Sequence, residues 1–250
     1  MHLRRTRFRH VLLIMAGGVV LFVSGCAAWR IGQSIDLAKR SEPLQQTPKD
    51  ATLSLLIVGD STAVGTGATS GKSSLAGLIA QQYPRLLIEN RARDGAKFAD
   101  VVRQLGGEER FDIVLVQAGG NDVIRLGDLS SAQADIERVA DLARKRADVV
   151  VLMPAGNVGN APFFFAPVSW LMTQRSRELH RYVQDSAART GATYVNLFQE
   201  SRDDPFVKDP SLNAIDGLHP GDAGYRVWFG ELMAQARLDA RLAPALATMR

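Results

Sequence analysis

Leu53-Ser54-Leu55-Leu56-Ile57-Val58 runs directly into Gly59-Asp60-Ser61-Thr62, an almost unbroken apolar stretch that ends in a glycine and a serine. A run of this length, closed by turn formers, suits a strand buried on both faces, as in a parallel sheet. Similar runs follow at Leu86–Glu89, Phe111–Val116, Val149–Met153 and Thr193–Leu197. Helical patterns lie between them, at about Ser74–Gln82, Phe98–Leu105, Ser131–Arg146 and Ser169–Arg189, and another closes the chain at about Asp222–Leu238. Buried strands alternating with helices predict an α/β fold, a three-layer α/β/α sandwich on a five-stranded parallel sheet with right-handed crossovers.

In such a sheet, ligands bind where loops leave the carboxyl ends of the strands. Ser61 follows the first predicted strand, Gly95 the second, Gly119–Asp122 the third and Asn157 the fourth, while His219 lies beyond the fifth. The fold therefore gathers distant residues at one edge.

A serine at a strand end is an ordinary turn residue unless a base is found for it. Of the four histidines, His2 and His10 lie in a basic leader. His180 falls within Arg175–Arg189, a strongly charged stretch that reads as an exposed helix. His219 remains, in Asp216-Gly217-Leu218-His219-Pro220, with a carboxylate three residues before it. Pro220 biases His219 toward extended backbone. A loop there can turn Asp216 toward imidazole Nδ1 and leave Nε2 for the serine, the division of labour that acyl transfer requires.

Gly119-Gly120-Asn121-Asp122 permits close backbone approach and offers the Asn121 amide, a neutral donor suited to an oxyanion. The Ser61 N–H, at the start of a helical turn, and the Gly95 N–H are further candidate donors. Asp122 reads as a cap rather than an acid. Each block alone also fits a plain turn; only together do they define a site.

These four blocks resemble the SGNH/GDSL hydrolase superfamily, over a region from about residue 53 to 240. The resemblance implies a flavodoxin-like sheet and serine esterase chemistry. Ser61 would be the nucleophile, His219 the base and Asp216 its orienting acid, with the Ser61 N–H, the Gly95 N–H and the Asn121 side chain as the oxyanion hole. No metal or cofactor is implied. The Gly95 block departs most from the family pattern, because Arg91–Asp94 stand where small residues are commoner. Such a chain would cleave small or lipid-type esters; carbohydrate O-deacetylation and a catalytically silent surface module are the alternatives.

The remaining readings concern location and substrate. Arg4, Arg5, Arg7 and Arg9, then an apolar run from Val11 to Val23, make a secretory leader. Val23-Ser24-Gly25-Cys26 resembles a bacterial lipobox, which implies lipidation of Cys26, the only cysteine. An uncleaved anchor and ordinary cleavage stay open as alternatives. The expected organisation is a signal peptide at 1–25, a polar tether at 26–50 and a hydrolase domain at 51–250, exported to the cell envelope. Without the four leader arginines the 30 Lys+Arg fall to 26, equal to the 26 Asp+Glu, so charge gives no argument for nucleic-acid binding. The expected partners are an ester substrate and a membrane, with the chain a monomer. Phe163, Phe164 and Phe165, bounded by prolines, are candidates for an acyl pocket together with Asn157, although a packed loop would account for them too. Gly71-Lys72-Ser73 has Thr66, not glycine, at the position a phosphate-binding loop needs.

Overall fold

The computed structural model describes residues 25, 26 and 28–246, so the expected leader lies outside it except for Gly25. The sheet contains β1 (Leu53–Gly59), β2 (Leu86–Asn90), β3 (Ile113–Gln117), β4 (Val149–Leu152) and β5 (Thr193–Tyr194). All pair in parallel, in the order β2-β1-β3-β4-β5. The helices are α1 (28–40), α2 (Ser61–Val64), α3 (Leu75–Gln82), α4 (Phe98–Gln104), α5 (Gly120–Ile124), α6 (Leu129–Arg146), α7 (Val168–Thr190), α8 (Pro205–Lys208), α9 (Asp222–Ala236) and α10 (Leu238–Leu242). Among the described residues no helix is long and apolar enough to cross a membrane.

β1 shows why the fold has three layers. Leu55 and Ile57 point to one face and Leu56 and Val58 to the other, all buried. The first face packs against Ile79 of α3, Tyr225 and Leu232 of α9, and Leu238 of α10. Val101 of α4, Ile136 of α6, and Leu179 and Val183 of α7 cover the second. The sheet order reverses at β1, whose neighbours are β2 on one side and β3 on the other. A crevice opens at the carboxyl ends of strands at such a switch point.

Two expectations change. β5 is shorter than its apolar run, because the Asn196 N–H leaves the ladder and donates to Gln235 Oε1 at 2.8 Å. The segment expected as a tether is also built into the domain. Residues 28–40 are helical, and Gln46 exchanges backbone hydrogen bonds of 3.0 and 2.8 Å with Ile88. The Gln45 amide meets both backbone groups of Asn90, and Gln46 Nε2 donates to the carbonyl of Leu86. β2 is the sheet's edge, with unpaired backbone groups that need covering. Two glutamines that read as linker polarity supply the cover.

Candidate active site

The nucleophile's turn is built before the nucleophile. β1 ends at Gly59, φ +152°, where a Cβ would stand 1.8 Å from the carbonyl oxygen of Gln117 on β3. Only glycine lets the two strands stay paired as the chain leaves the sheet. Gln104, at the end of α4, then holds both backbone groups of Gly59: its Oε1 accepts the N–H at 2.7 Å and its Nε2 donates to the carbonyl at 2.9 Å. Asp60 caps α2, its Oδ1 accepting from the Thr62 N–H at 2.9 Å and the Thr62 hydroxyl at 2.7 Å. Ser61 opens that short helix. Asn90 ties the same helix to β2 by donating to the carbonyl of Ala63 at 2.8 Å.

The base arrives on a loop closed upon itself. The Ala214 N–H donates to the carbonyl of His219 at 2.8 Å, and Asn213 bridges to Pro220. His219 Nδ1–H donates to Asp216 Oδ2 at 2.6 Å, and the Ser61 hydroxyl donates to His219 Nε2 at 2.9 Å. Asp216 is fully buried. Its Oδ1 accepts the N–H groups of Leu218 and His219 at 3.0 and 3.1 Å. Burial pushes its carboxyl up, but the His219 hydrogen bond and charge, with donors from Ser34 and Leu218, outweigh it and hold the group at about 2. The serine, the imidazole and an ionised carboxylate thus form one unbroken relay.

β3 delivers the third block. Gly119, φ +122°, leaves no room for a Cβ, which would come within 2.8 Å of Leu179. α5 begins one residue later and carries Asn121 in its first turn. Arg175 of α7 satisfies the end of that helix, donating to the carbonyls of Asp122, Val123 and Gly127. Among the described residues Asn121 makes no side-chain hydrogen bond, so its amide stays available. Gly95, φ +74°, is fixed through its carbonyl by Arg125 at 2.8 Å. Ser61, Gly95, Asn121 and His219 all line one cleft of about 730 Å³.

Other expectations are redistributed. Asp122 is a cap, its Oδ2 accepting the Phe98 N–H at the start of α4. Burial raises its carboxyl to about 6, against the Phe98 hydrogen bond and helped by the nearby charge of Asp60. Asn157 lines the cleft, but its amide is engaged within the wall, accepting from the Gly159 N–H at 3.0 Å and donating to the Gln199 carbonyl at 3.1 Å. Phe163, Phe164 and Phe165 do not line the cleft. The Phe163 and Phe164 rings meet edge to face at 4.9 Å, Phe164 packs onto the core, and Phe165 is exposed beneath the Arg30 guanidinium. Apolar lining comes instead from Val158, Leu218 and Trp228, and from Ile31 and Ile35 of α1.

His180 is not an exposed helix residue. It is buried, with Nε2–H donating to the carbonyl of Ala155 at 2.7 Å and Nδ1 accepting from the Tyr194 hydroxyl at 2.6 Å. Burial lowers it to about 4, only partly opposed by the Ala155 hydrogen bond, so it stays neutral. The inward stripe of α7 runs Met172, Ser176, Leu179, His180, Val183, a helical spacing visible in the sequence beneath the surrounding charges. Among the described residues no group of three or more His, Cys, Asp or Glu side chains is placed to hold a metal ion.

The family model for GDSL-like lipases and acylhydrolases matches residues 57–227, more than half of the chain. The chain belongs to this hydrolase family. Its fold is shared with several solved structures. TesA is 21% identical, with a TM-score of 0.59 over 77% of this chain and 99% of that one. The lipase/acylhydrolase from Enterococcus faecalis is 16% identical, TM-score 0.55, over 80% and 100%. A variant of Axe2, an acetyl-xylooligosaccharide esterase from Geobacillus stearmophilus, is 21% identical, TM-score 0.54, over 74% and 94%. No curated protein matches the sequence.

Proposed function

We propose that this hydrolase is a serine esterase that cleaves acyl esters through an acyl-enzyme intermediate, held at the cell envelope by a lipidated Cys26. The relay from Ser61 Oγ to His219 Nε2 at 2.9 Å and from Nδ1 to Asp216 at 2.6 Å carries the reading. His219 takes the serine proton as Oγ attacks the carbonyl carbon, and Asp216 stabilises the imidazolium that forms. The negative oxygen of the tetrahedral intermediate is received by the Ser61 N–H, the Gly95 N–H and the Asn121 amide. The imidazolium then protonates the departing alcohol. In the second half, His219 removes a proton from water, which releases the acid and restores Ser61.

An apolar cleft favours a lipid-type acyl group. Exposed apolar side chains also border the Asp216 loop: Ile215 precedes Asp216, and Phe165 lies under Arg30, whose guanidinium reaches Gly217. The same cleft carries Asn196, Gln199 and Asp203, groups that suit sugar hydroxyls and favour O-deacetylation of an envelope polysaccharide as the second reading. The test is hydrolysis of p-nitrophenyl acetate, butyrate and octanoate by the full chain in detergent, beside Ser61→Ala. The proposal expects turnover that rises with acyl length and vanishes in the variant. Acetate release from an O-acetylated polysaccharide, without octanoate turnover, would favour the second reading. Equal rates in both proteins would remove the esterase.

A further inference from the structure

The family match begins at residue 57, well after α1, yet α1 reaches the catalytic acid. Ser34 Oγ donates to Asp216 Oδ2 at 2.6 Å, the same oxygen that accepts from His219. Arg30, one turn earlier, donates to the carbonyl of Pro162 and lies over the Phe165 ring at 5.2 Å. Its guanidinium also crowds Gly217 in the Asp216 loop, where a Cβ would stand 3.3 Å away. Ile31, Ser34, Ile35 and Ala38 all line the cleft. Their spacing of three, four and seven residues is one helical face, so the whole inward side of α1 is turned to the site. Ile31 and Ile35 are each 49% exposed, apolar surface that a bound chain would cover.

Resting on the serine-esterase reading above, we propose that α1 is a working part of the active site: Ser34 is a positioning residue for Asp216, and Ile31 and Ile35 form a wall of the acyl-chain subsite. The hydroxyl of Ser34 fixes the carboxylate from the side that Leu218 and His219 leave open. It also shares Oδ2 with the imidazole. Without it, the carboxylate would hold the imidazolium more tightly and be less well fixed. The other charged and titratable groups facing the pair are Asp60 beside His219, Tyr225 near Asp216, Asp60 and Asp94, and Arg30 beside Gly217.

The experiment uses the full chain in detergent and compares wild type with Ser34→Ala, Ser34→Thr and the double variant Ile31→Ala/Ile35→Ala. In Ser34→Ala, kcat/KM should fall about three- to tenfold, the worth of one net hydrogen bond. The acidic limb of its pH profile should move to higher pH, and Ser34→Thr should restore both. In the double variant, octanoate kcat/KM should fall about tenfold, equivalent to losing one or two buried methylenes. Acetate should change less than about twofold, since its acyl group is too short to reach the wall. A Ser34→Ala profile that overlays wild type, or equal losses on acetate and octanoate, would overturn the role of α1 while leaving the esterase intact. Absence of Ser61-dependent hydrolysis in the wild type would overturn the esterase reading and this one with it.

Discussion

Gln104 does for the nucleophile's turn what Asp216 does for the base, holding it in place through hydrogen bonds. The buried Gly59 N–H has Gln104 Oε1 as its partner, while the Gly59 carbonyl accepts both from Gln104 Nε2 and from the Arg93 N–H at 3.1 Å. Gln104→Leu should therefore destabilise the fold by about 1–3 kcal/mol, the cost of the one buried N–H left without a partner. Urea unfolding would reveal it as a lower midpoint with an unchanged slope. Asn121→Ala should lower kcat by about 10²–10³-fold with little change in KM, if its amide meets only the transition state. Asp122 gives a pH prediction. Its carboxyl rises from the ordinary 3.8 to about 6 in the fold, so charging it costs stability. Wild type carries no such cost below about pH 4 and loses stability as pH rises through about 6. Asp122→Asn should gain up to about 3 kcal/mol on wild type at pH 8 and almost nothing at pH 4, read from paired thermal melts. A pH-independent difference would contradict that sign. Asp216 and His219 were legible in the sequence because a carboxylate, a glycine and a proline bracket the histidine. His180 was missed because charged neighbours masked its place on a buried stripe. Nothing in the sequence around Gln104 separates it from an exposed helix end.

At the scale of elements, the strands and long helices follow from apolar runs and helical spacing, and the structure moves their ends by only a few residues. Of the short helices, only the helical turn opening at Ser61 was anticipated. α2 and α5 are too brief for any periodicity and exist because caps and neighbours hold them, Asp60 for one and Arg175 for the other. α1 was misread for a different reason. Its face of Ile31, Ser34, Ile35 and Ala38 is a helical pattern, but proline and glutamine around residues 43–48 made the whole region read as a tether. The edge of β2 decided otherwise, because its open hydrogen-bonding groups recruit Gln45 and Gln46. A chain beginning at residue 47 should accordingly melt about 5–10 °C lower than the full chain, for a loss of a few kcal/mol. Identical melting temperatures would mean that the segment is not part of the folded unit.

For the whole molecule, the position of the cleft is a consequence of strand order. With β1 flanked by β2 and β3, the loops bearing Ser61, Gly95 and Asn121 leave the sheet side by side, and the long return through α7 and β5 brings His219 over them. Strand and helix alternation foretold this convergence, whereas the substrate wall lay in a segment outside the family match. The proposed anchor completes the layout, since Cys26, itself helical, stands four residues before Arg30 in the segment that borders the site. Cells fed a labelled fatty acid should incorporate it into wild type and not into Cys26→Ser; equal incorporation would remove the anchor and leave the hydrolase unaffected. The central claim, that Ser61 is a nucleophile activated by His219 and Asp216, is tested most directly by a fluorophosphonate. Intact-mass and peptide analysis should find one adduct, on Ser61, absent in Ser61→Ala and formed at least about 10³-fold more slowly in His219→Ala. No adduct, or one on another serine with the same rate in both variants, would contradict the account.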